Sequence, residues 1–354
     1  MAAKSSGRPA IVVTSVNAPN DAMRTLAGGA SAHGHDLIVV GDKKSPRTYD
    51  LGACRFLSID EQLGMEFETA RLCPTQHYAR KNVGYLLAIS QRAPSIIETD
   101  DDNKPLPEFF EQRKETLNCE VVETSGWVNV YRHFTDTLVW PRGLPLDAIH
   151  AEPSLSAAME QVTCPIQQGL ADGNPDVDAI FRLVLPLPMN FDRKPPVALR
   201  AGAWCPFNSQ NTTWWPAAYP LLYLPAYCSF RMTDIWRSFV AQRICWANGW
   251  SILFHSATVV QDRNEHDLMR DFADEIPGYV KNRKIADNLA SLDLASGPER
   301  IPENLHRCYQ VLTEMGAVGE LELRLLDAWL DDIANTEWAA RVARLAKGRT
   351  LHNA

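Results

Sequence analysis

The sequence predicts an α/β protein with a doubly wound sheet whose strands are mainly parallel. Short β-branched runs at residues 10–14, 37–40 and 54–59 alternate with segments of helical periodicity. A helical segment at 80–92 then leads into a further strand at 95–99. Parallel sheets of this kind bind ligands beyond the carboxyl ends of their strands. Polar residues that follow these strands are therefore candidates for a functional site.

The first predicted helix has signals at both ends. Asn20 precedes it as a candidate N-cap, and Gly34 follows it as a candidate stop. Apolar residues recur between them at helical spacing, namely Met23, Leu26, Ala27 and Ala30. We expect this face to pack on the sheet.

The rest of the chain is less regular. Residues 104–230 are rich in Pro, Trp and Asn, and irregular segments with such side chains often build binding walls. Residues 229–250 have a helical pattern, and residues 250–260 have the pattern of a strand. The chain after residue 283 is helical throughout, and we expect it to be a packing appendage without chemistry of its own.

Composition excludes several classes of protein. The chain has 354 residues, of which 45% are hydrophobic, and carries a formal net charge of −8 with a pI near 5.6, which argues against a broad nucleic-acid surface. Eight scattered cysteines without a CxxC pair indicate reduced thiols. No stretch approaches about 18 continuous apolar residues, so no transmembrane segment is predicted. We expect a cytoplasmic protein, and the sequence leaves a homo-oligomer open.

The stretch "IIETDDDNKP" places three carboxylates directly after a buried strand. If the strand alternation continued, Asp100 and Asp102 would face together and Asp101 would face away. Two carboxylates spaced in this way suit one hard cation, Mn²⁺ or Mg²⁺, which would share its coordination shell with phosphate oxygens. The alternative is a simple turn rich in Asn and Asp.

The neighbouring motifs favour the metal over the turn. The sequence has no GxGxxG, no P-loop, no HExxH and no GxSxG, so the dehydrogenase, P-loop, zinc-protease and serine-hydrolase classes lack their signatures. A predicted helix starts instead with Arg80, Lys81 and Asn82. Cationic groups at the start of a helix form a position for phosphate.

"RKNVGYLLA" and "IIETDDDN" resemble the helix and DxD motif of GT-A nucleotide-sugar glycosyltransferases. With "IVVGDKKSP", "WPRGLPL", "PDVDAIFRL", "PFNSQNT" and "RMTDIWRSF" in this order, the chain resembles the STELLO-like glycosyltransferase family. The likeness runs from residue 11 to about 267, and we expect it to fade beyond. A weaker likeness extends to the reversibly glycosylated polypeptides, which are UDP-arabinopyranose mutases.

The resemblance implies a fold and a division into domains. It implies a GT-A, Rossmann-like domain with a mixed, mainly parallel sheet over residues 9–280. Residues 9–104 would be its nucleotide-binding half and residues 105–280 its acceptor-side half. A C-terminal helical extension would cover residues 281–354.

The resemblance also implies the residues that hold the donor. The nucleoside would lie at the end of the first strand, and an acid after the second strand would meet the base. The donor-binding residues implied in this way are Thr14, Ser15, Asn17, Asp42, Lys44, Arg80, Lys81, Asn82, Asp100 and Asp101. Asp102 would bind the metal together with Asp100, with His266 as third ligand and His255 in reserve.

A transferase that deprotonates its acceptor also needs a base. The resemblance points to Asp234 in "RMTDIWRSF", with Asp176 and Asp178 as rivals, and an N-cap is the structural alternative for Asp234.

These implications predict a metal-dependent glycosyltransferase of the hexosyl- or pentosyltransferase class. Its donor would be a nucleotide sugar, with a UDP-sugar favoured, and its acceptor a glycan, a lipid or a small molecule. The alternatives are a nucleotide-sugar mutase and a non-catalytic interaction protein on the same fold.

Overall fold

Eleven of the described strands form one mixed sheet, and two short strands pair separately. The computed structural model describes residues 7–262, 267–338 and 340. The strands are β1 (Ala10–Thr14), β2 (Asp36–Val40), β3 (Cys54–Leu57), β4 (Ile96–Thr99), β5 (Asn103–Pro105), β6 (Thr116–Val122), β7 (Gly126–Trp127), β8 (Glu160–Thr163), β9 (Ile166–Gly173), β10 (Val197–Leu199), β11 (Ala203–Trp204), β12 (Asn211–Trp214) and β13 (Ile252–Gln261). The α-helices are α1 (Asp21–Ala32), α2 (Ile59–Gly64), α3 (Glu68–Leu72), α4 (Lys81–Ser90), α5 (Ala179–Val184), α6 (Thr233–Ala247), α7 (Leu268–Ala290), α8 (Ile301–Glu314) and α9 (Leu321–Ala334).

The amino-terminal part of the sheet is parallel, as predicted. Its strand order is β3-β2-β1-β4, and each pair in this run is parallel. Strand β12 then pairs antiparallel with both β4 and β9, while β13 runs parallel to β9. The sheet is therefore mixed, and the predicted α/β fold class is confirmed.

This strand order decides which residues meet at one edge of the sheet. The antiparallel register places Asn211 opposite Thr99, so the chain enters β12 where β4 ends. Strand β13 runs in the same direction as β4, and its last residue, Gln261, pairs with Asn103. The ends of β1, β2, β4 and β13 and the start of β12 therefore share an edge.

Local signals explain the first helix well. Asn20 accepts a hydrogen bond from the backbone N–H of Met23 at 2.9 Å, so the predicted N-cap is confirmed. The four predicted apolar residues are the buried ones of α1. Gly34, just beyond the helix, has a φ of +71°, a conformation that favours glycine.

The helical tail shares its hydrophobic core with the sheet. Leu289, Leu305 and Trp329 belong to the same buried cluster as Val12 of β1. The predicted boundary between residues 280 and 281 falls inside α7, and the division into domains stays a prediction. No helix in the described ranges combines the length and the hydropathy needed to cross a membrane.

Candidate active site

A cavity of about 430 Å³ lies at this shared edge of the sheet. It brings together most of the residues that the sequence singled out. The predicted residues that line it are Thr14, Ser15, Asn17, Asp42, Lys44, Arg80, Asp100, Asp101, Asp102, Asp176 and Asp234. Lys81, Asn82, Asp178 and His255 are not among its lining residues, and His266 lies outside the described residues.

Asp100, Asp101 and Asp102 form a turn, here called the acid turn, and all three line the cavity. The prediction that Asp101 faces away is wrong, because β4 ends at Thr99 and the alternation of a strand stops there. The hydroxyl of Ser15 donates a hydrogen bond to Asp101 Oδ2 at 2.6 Å. The end of β1 therefore holds the middle of the acid turn.

The first acid contacts a buried ammonium group. Lys81 is fully buried, and its Nζ donates to Asp100 Oδ1 at 3.0 Å and to the carbonyl of Thr99 at 2.9 Å. Burial raises the pKa of Asp100 to about 7, with the ammonium opposing the shift and the Asp102 carboxylate adding to it. Lys81 does not line the cavity, and its predicted phosphate contact stays a prediction.

The third acid contacts a neutral amide. Gln261 Nε2 lies 3.2 Å from both carboxylate oxygens of Asp102. Gln261 lines the cavity at the end of β13, and the sequence reasoning missed it. Its position follows from the parallel pairing of β9 and β13, which no local sequence pattern predicts.

The acid turn fits a divalent cation in part. The described residues contain no group of three or more His, Cys, Asp or Glu side chains arranged around a metal position. Asp100 and Asp102 nevertheless offer hard oxygen atoms in one cavity, and Mg²⁺ is commonly held by one or two carboxylates plus substrate phosphates. The donor set is therefore suited to a cation that arrives with a phosphorylated ligand.

The reserve metal ligand, His255, does not line the cavity, and its assignment stays a prediction. This histidine lies six residues before the carboxyl end of β13, where its Nδ1 is 2.9 Å from the carbonyl oxygen of Ser256. Burial lowers its pKa to about 3. Its strand position keeps it away from the edge at which the acid turn lies.

The opposite side of the cavity is organised by Arg142. Its guanidinium donates two hydrogen bonds to Asp176, both at 2.8 Å, through Nε and one terminal nitrogen. The same terminal nitrogen lies 3.1 Å from both carboxylate oxygens of Asp234. These three buried side chains are here called the arginine cluster. Arg142 stands in the stretch "WPRGLPL", but nothing local indicated which carboxylates it would meet.

Asp234 does not cap its helix. Helix α6 follows Met232 as N-cap without a side-chain cap hydrogen bond, so the capping alternative is wrong. Ser209 instead donates to Asp234 Oδ2 through its backbone N–H at 3.1 Å and its hydroxyl at 3.2 Å. Burial alone would raise the pKa of Asp234, but the charges of Arg142 and Arg237 and the Ser209 bonds bring it below its ordinary value.

Asp178 has a structural role. Its carboxylate accepts from the backbone N–H of Phe181 and from the indole N–H of Trp140, both at 2.7 Å. Asp178 thus caps α5, and burial raises its pKa to about 6. Asp178 does not line the cavity, and its catalytic role stays a prediction.

The predicted cationic helix start is also largely structural. Arg80 donates to Gln62 Oε1 at 2.7 Å and to the carbonyl of Cys73 at 2.8 Å, although it still lines the cavity. Asn82 forms a pair of 2.9 Å hydrogen bonds with the backbone of Leu224. Asn82 does not line the cavity, and its predicted ribose or base contact stays a prediction, as does the role of Arg80.

Three rings missed by the sequence reasoning complete the cavity. His77 and Tyr78 stack with centroids 5.6 Å apart, and Phe230 stands edge-on to Tyr78 at 4.8 Å. Phe230 is 47% exposed and lines the cavity, so part of its side chain is accessible to a ligand. Burial lowers the pKa of His77 to about 4, which leaves this wall neutral at pH 7.

Two comparisons with known proteins find similarity to the same family. The family model of the STELLO glycosyltransferases matches residues 231–347. The probable glycosyltransferase STELLO2 of Arabidopsis thaliana is 29% identical over 346 residues, which cover 91% of this chain and 44% of the relative. The chain is therefore similar to the STELLO glycosyltransferases over most of its length. The probable glycosyltransferase STELLO1 of the same plant is 28% identical over 354 residues, with the same coverage.

Two limits follow from these matches. The chain spans 44% of the length of these curated relatives. The expectation that similarity fades beyond residue 267 is wrong, because the family model extends through most of the helical tail. A crystal structure of a mycobacterial protein covers 78% of this chain and 74% of its own, at 11% identity and a TM-score of 0.40, and so weak a likeness carries no argument.

Proposed function

We propose that this protein is a glycosyltransferase that moves a sugar from a nucleotide-sugar donor to a hydroxyl group. The observation that carries the proposal is the acid turn, whose three carboxylates share one cavity with the polar ends of β1 and β2. Relatives named as probable glycosyltransferases support the same reaction class. The hexosyl or pentosyl class of the donor sugar is left to experiment.

The donor nucleoside would lie against the ends of β1 and β2. Ser15 and Asn17 offer polar groups there, and Asp42 is held in place by the backbone N–H of His77 at 3.1 Å. Lys44 is exposed and lines the cavity, so its ammonium is available to a phosphate. The cavity volume is within the range of about 300–1,000 Å³ that is typical of small-molecule sites. We favour UDP as the nucleotide.

The acid turn would hold Mn²⁺ or Mg²⁺, with Asp102 as its principal ligand. A bound cation would neutralise the negative charge that develops on the pyrophosphate leaving group. Asp102 is the stronger candidate ligand, because its only side-chain partner in the described residues is the neutral amide of Gln261. Gln261 fixes the orientation of that carboxylate.

The arginine cluster would face the transferred sugar and the acceptor. The lowered pKa keeps Asp234 ionised at neutral pH, but four hydrogen-bond contacts and a low basicity make it a weak proton acceptor. We therefore assign Asp234 an electrostatic role, the stabilisation of an oxocarbenium-like state. Asp176 would share this role through Arg142.

The experiment that tests the proposal is an incubation with a panel of UDP-sugars in Mn²⁺, with UDP-glucose and UDP-arabinose as first members. Released UDP and the fate of the sugar are followed together, and Asp102→Asn is the inactive control. We expect slow UDP release from at least one donor, because water can replace a missing acceptor. An isomerised donor without released UDP would contradict transfer and support the mutase alternative.

A further inference from the structure

Lys81 is a buried cation that the proposed donor site does not use. It is the first residue of α4, and its side chain has no exposed surface. Its ammonium donates to Asp100 Oδ1 at 3.0 Å, to the carbonyl of Thr99 at 2.9 Å and to the carbonyl of Ser209 at 3.4 Å. An ammonium group in such a place requires both acceptors and a counter-charge.

Asp100 supplies that counter-charge while it remains open to the cavity. Its side chain is 37% exposed, against 0% for Lys81. The carboxylate therefore lies between a fixed internal cation and the position that a divalent cation would take. Asp102, two residues on, faces the same cavity without a cationic partner among the described side chains. The two acids differ in charge environment although they belong to one turn.

We propose that Lys81 is a positioning residue whose ammonium occupies Asp100 and thereby directs a divalent cation to Asp102. The inference rests on the proposed function, since it concerns the metal of that site. A cation bound by both acids would lie within a few ångströms of the ammonium, where like charges repel strongly in a partly buried site.

The third contact gives Lys81 a second positioning effect. Ser209 accepts from Lys81 through its carbonyl and donates to Asp234 through its N–H and hydroxyl. The ammonium therefore joins the acid turn to the arginine cluster through one residue. Lys81 therefore contacts a residue that also contacts the arginine cluster.

The test measures Mn²⁺ binding by electron paramagnetic resonance on the whole chain with saturating UDP at pH 8. We expect Asp102→Asn to weaken Mn²⁺ binding at least about 100-fold and Asp100→Asn by less than about tenfold. Lys81→Met should strengthen binding about tenfold, because it frees Asp100 for the cation. Asp100→Asn added to Lys81→Met should remove that gain. Lys104→Met is the matched control, because it removes an exposed positive charge two residues from Asp102.

The outcomes separate the inference from the function on which it rests. If Lys81→Met binds Mn²⁺ like Lys104→Met, or Asp100→Asn loses as much affinity as Asp102→Asn, the role of Lys81 is wrong and the transferase proposal stands. A wild-type chain that binds no Mn²⁺ with UDP overturns the metal-dependent transferase itself. Circular dichroism checks the fold of each variant. Should Lys81→Met fail to fold, the comparison of Asp100→Asn with Asp102→Asn decides alone.

Discussion

The acid turn, on one side of the cavity, contacts a hydroxyl group, an amide group and one ammonium group. On the other side of the cavity, Asp176 and Asp234 share the guanidinium group of Arg142. The side chain of Asp100 is 37% exposed, whereas that of Asp234 is 5% exposed. The acid turn carries negative charge that its protein partners leave partly uncompensated. The arginine cluster has paired most of its charge internally. The acid turn is thus suited to bind a cation, and the arginine cluster is suited to maintain a fixed electrostatic field in the cavity.

The difference has a structural origin. The acid turn follows a strand end, where side chains reach solvent at the edge of the sheet. The arginine cluster joins a loop, the residues after β9 and the start of α6, which bury one another. A variant on the first side should therefore change ligand binding at constant stability, and a variant on the second should change both.

The largest effect is expected at Asp102. Asp102→Asn removes a charged metal ligand without a change in volume, so turnover should fall at least about 10³-fold while the melting temperature changes little. Asp331→Asn, an exposed position on α9, is the control. Wild-type turnover in Asp102→Asn at saturating donor would mean that the acid turn holds no metal.

The next largest effect is expected at Arg142, whose guanidinium group joins the side chains of the arginine cluster. Arg142→Met leaves two buried carboxylates without their cation and should lower the free energy of unfolding by about 3–5 kcal/mol. Arg142→Lys keeps the charge but loses the paired hydrogen bonds, so its free energy of unfolding should lie between those of the wild type and Arg142→Met. Urea titration measures both, and a fully stable Arg142→Met would refute the view that this side depends on one ion cluster.

Asp234→Asn tests whether the second side acts through its field. The variant should lower kcat about 10²-fold with little change in donor affinity. The pKa of Asp234 is below its ordinary value, so its carboxylate is ionised from pH 5 to 8. The kcat of the wild type should therefore not decrease at the acidic end of this range through protonation of Asp234. If the kcat of the wild type decreased below neutral pH and that decrease were absent in Asp234→Asn, Asp234 would be the general base after all. Full activity in the variant would remove Asp234 from the chemistry.

The smallest effect is expected where helix α9 contacts the loop that precedes α6. Glu322 of α9 accepts from the backbone N–H groups of Ala226 and Tyr227, in the loop that leads to Phe230. Burial raises the pKa of Glu322 from 4.5 to about 7, so the folded protein holds this proton more tightly than the unfolded chain. The resulting stabilisation is present below pH 4.5 and is lost as the pH rises to 7.

Glu322→Gln should therefore lose less stability between pH 5 and 8 than the wild type, by about 1–3 kcal/mol. Urea titrations at several pH values measure the difference. Glu314→Gln, an exposed position at the end of α8, is the control. If Glu322→Gln and the wild type show the same pH dependence, the tail does not fix this loop through a protonated carboxyl.

The sequence predicted the first side better than the second, for a physical reason. Strand ends, the Asn20 cap and the acid turn are set by local patterns and by the rule that parallel strands end at one edge. Arg142 and Asp234 are 92 residues apart in the chain, and Gln261 reaches Asp102 over 159. Partners at such separations depend on the order of strands in the irregular middle, where no period indicates an element.

The same reasoning explains why some predicted site residues do not line the cavity. Asp178 and Asn82 have the residue types of a site, but each satisfies a nearby backbone group that the sequence does not reveal. Lys81 has the residue type of a phosphate ligand, yet its position at the start of a packed helix turns it inward. Residue type and motif predicted the region of the site, and burial decided the role of each side chain.

The central claim is that the acid turn binds a nucleotide through a divalent cation. Isothermal titration calorimetry of UDP against the wild-type chain, once in Mn²⁺ and once in EDTA, tests it most directly. We predict an affinity at least about tenfold higher in Mn²⁺, a difference of about 1.4 kcal/mol or more, and the loss of this difference in Asp102→Asn. Equal affinity for UDP in Mn²⁺ and in EDTA would contradict the account.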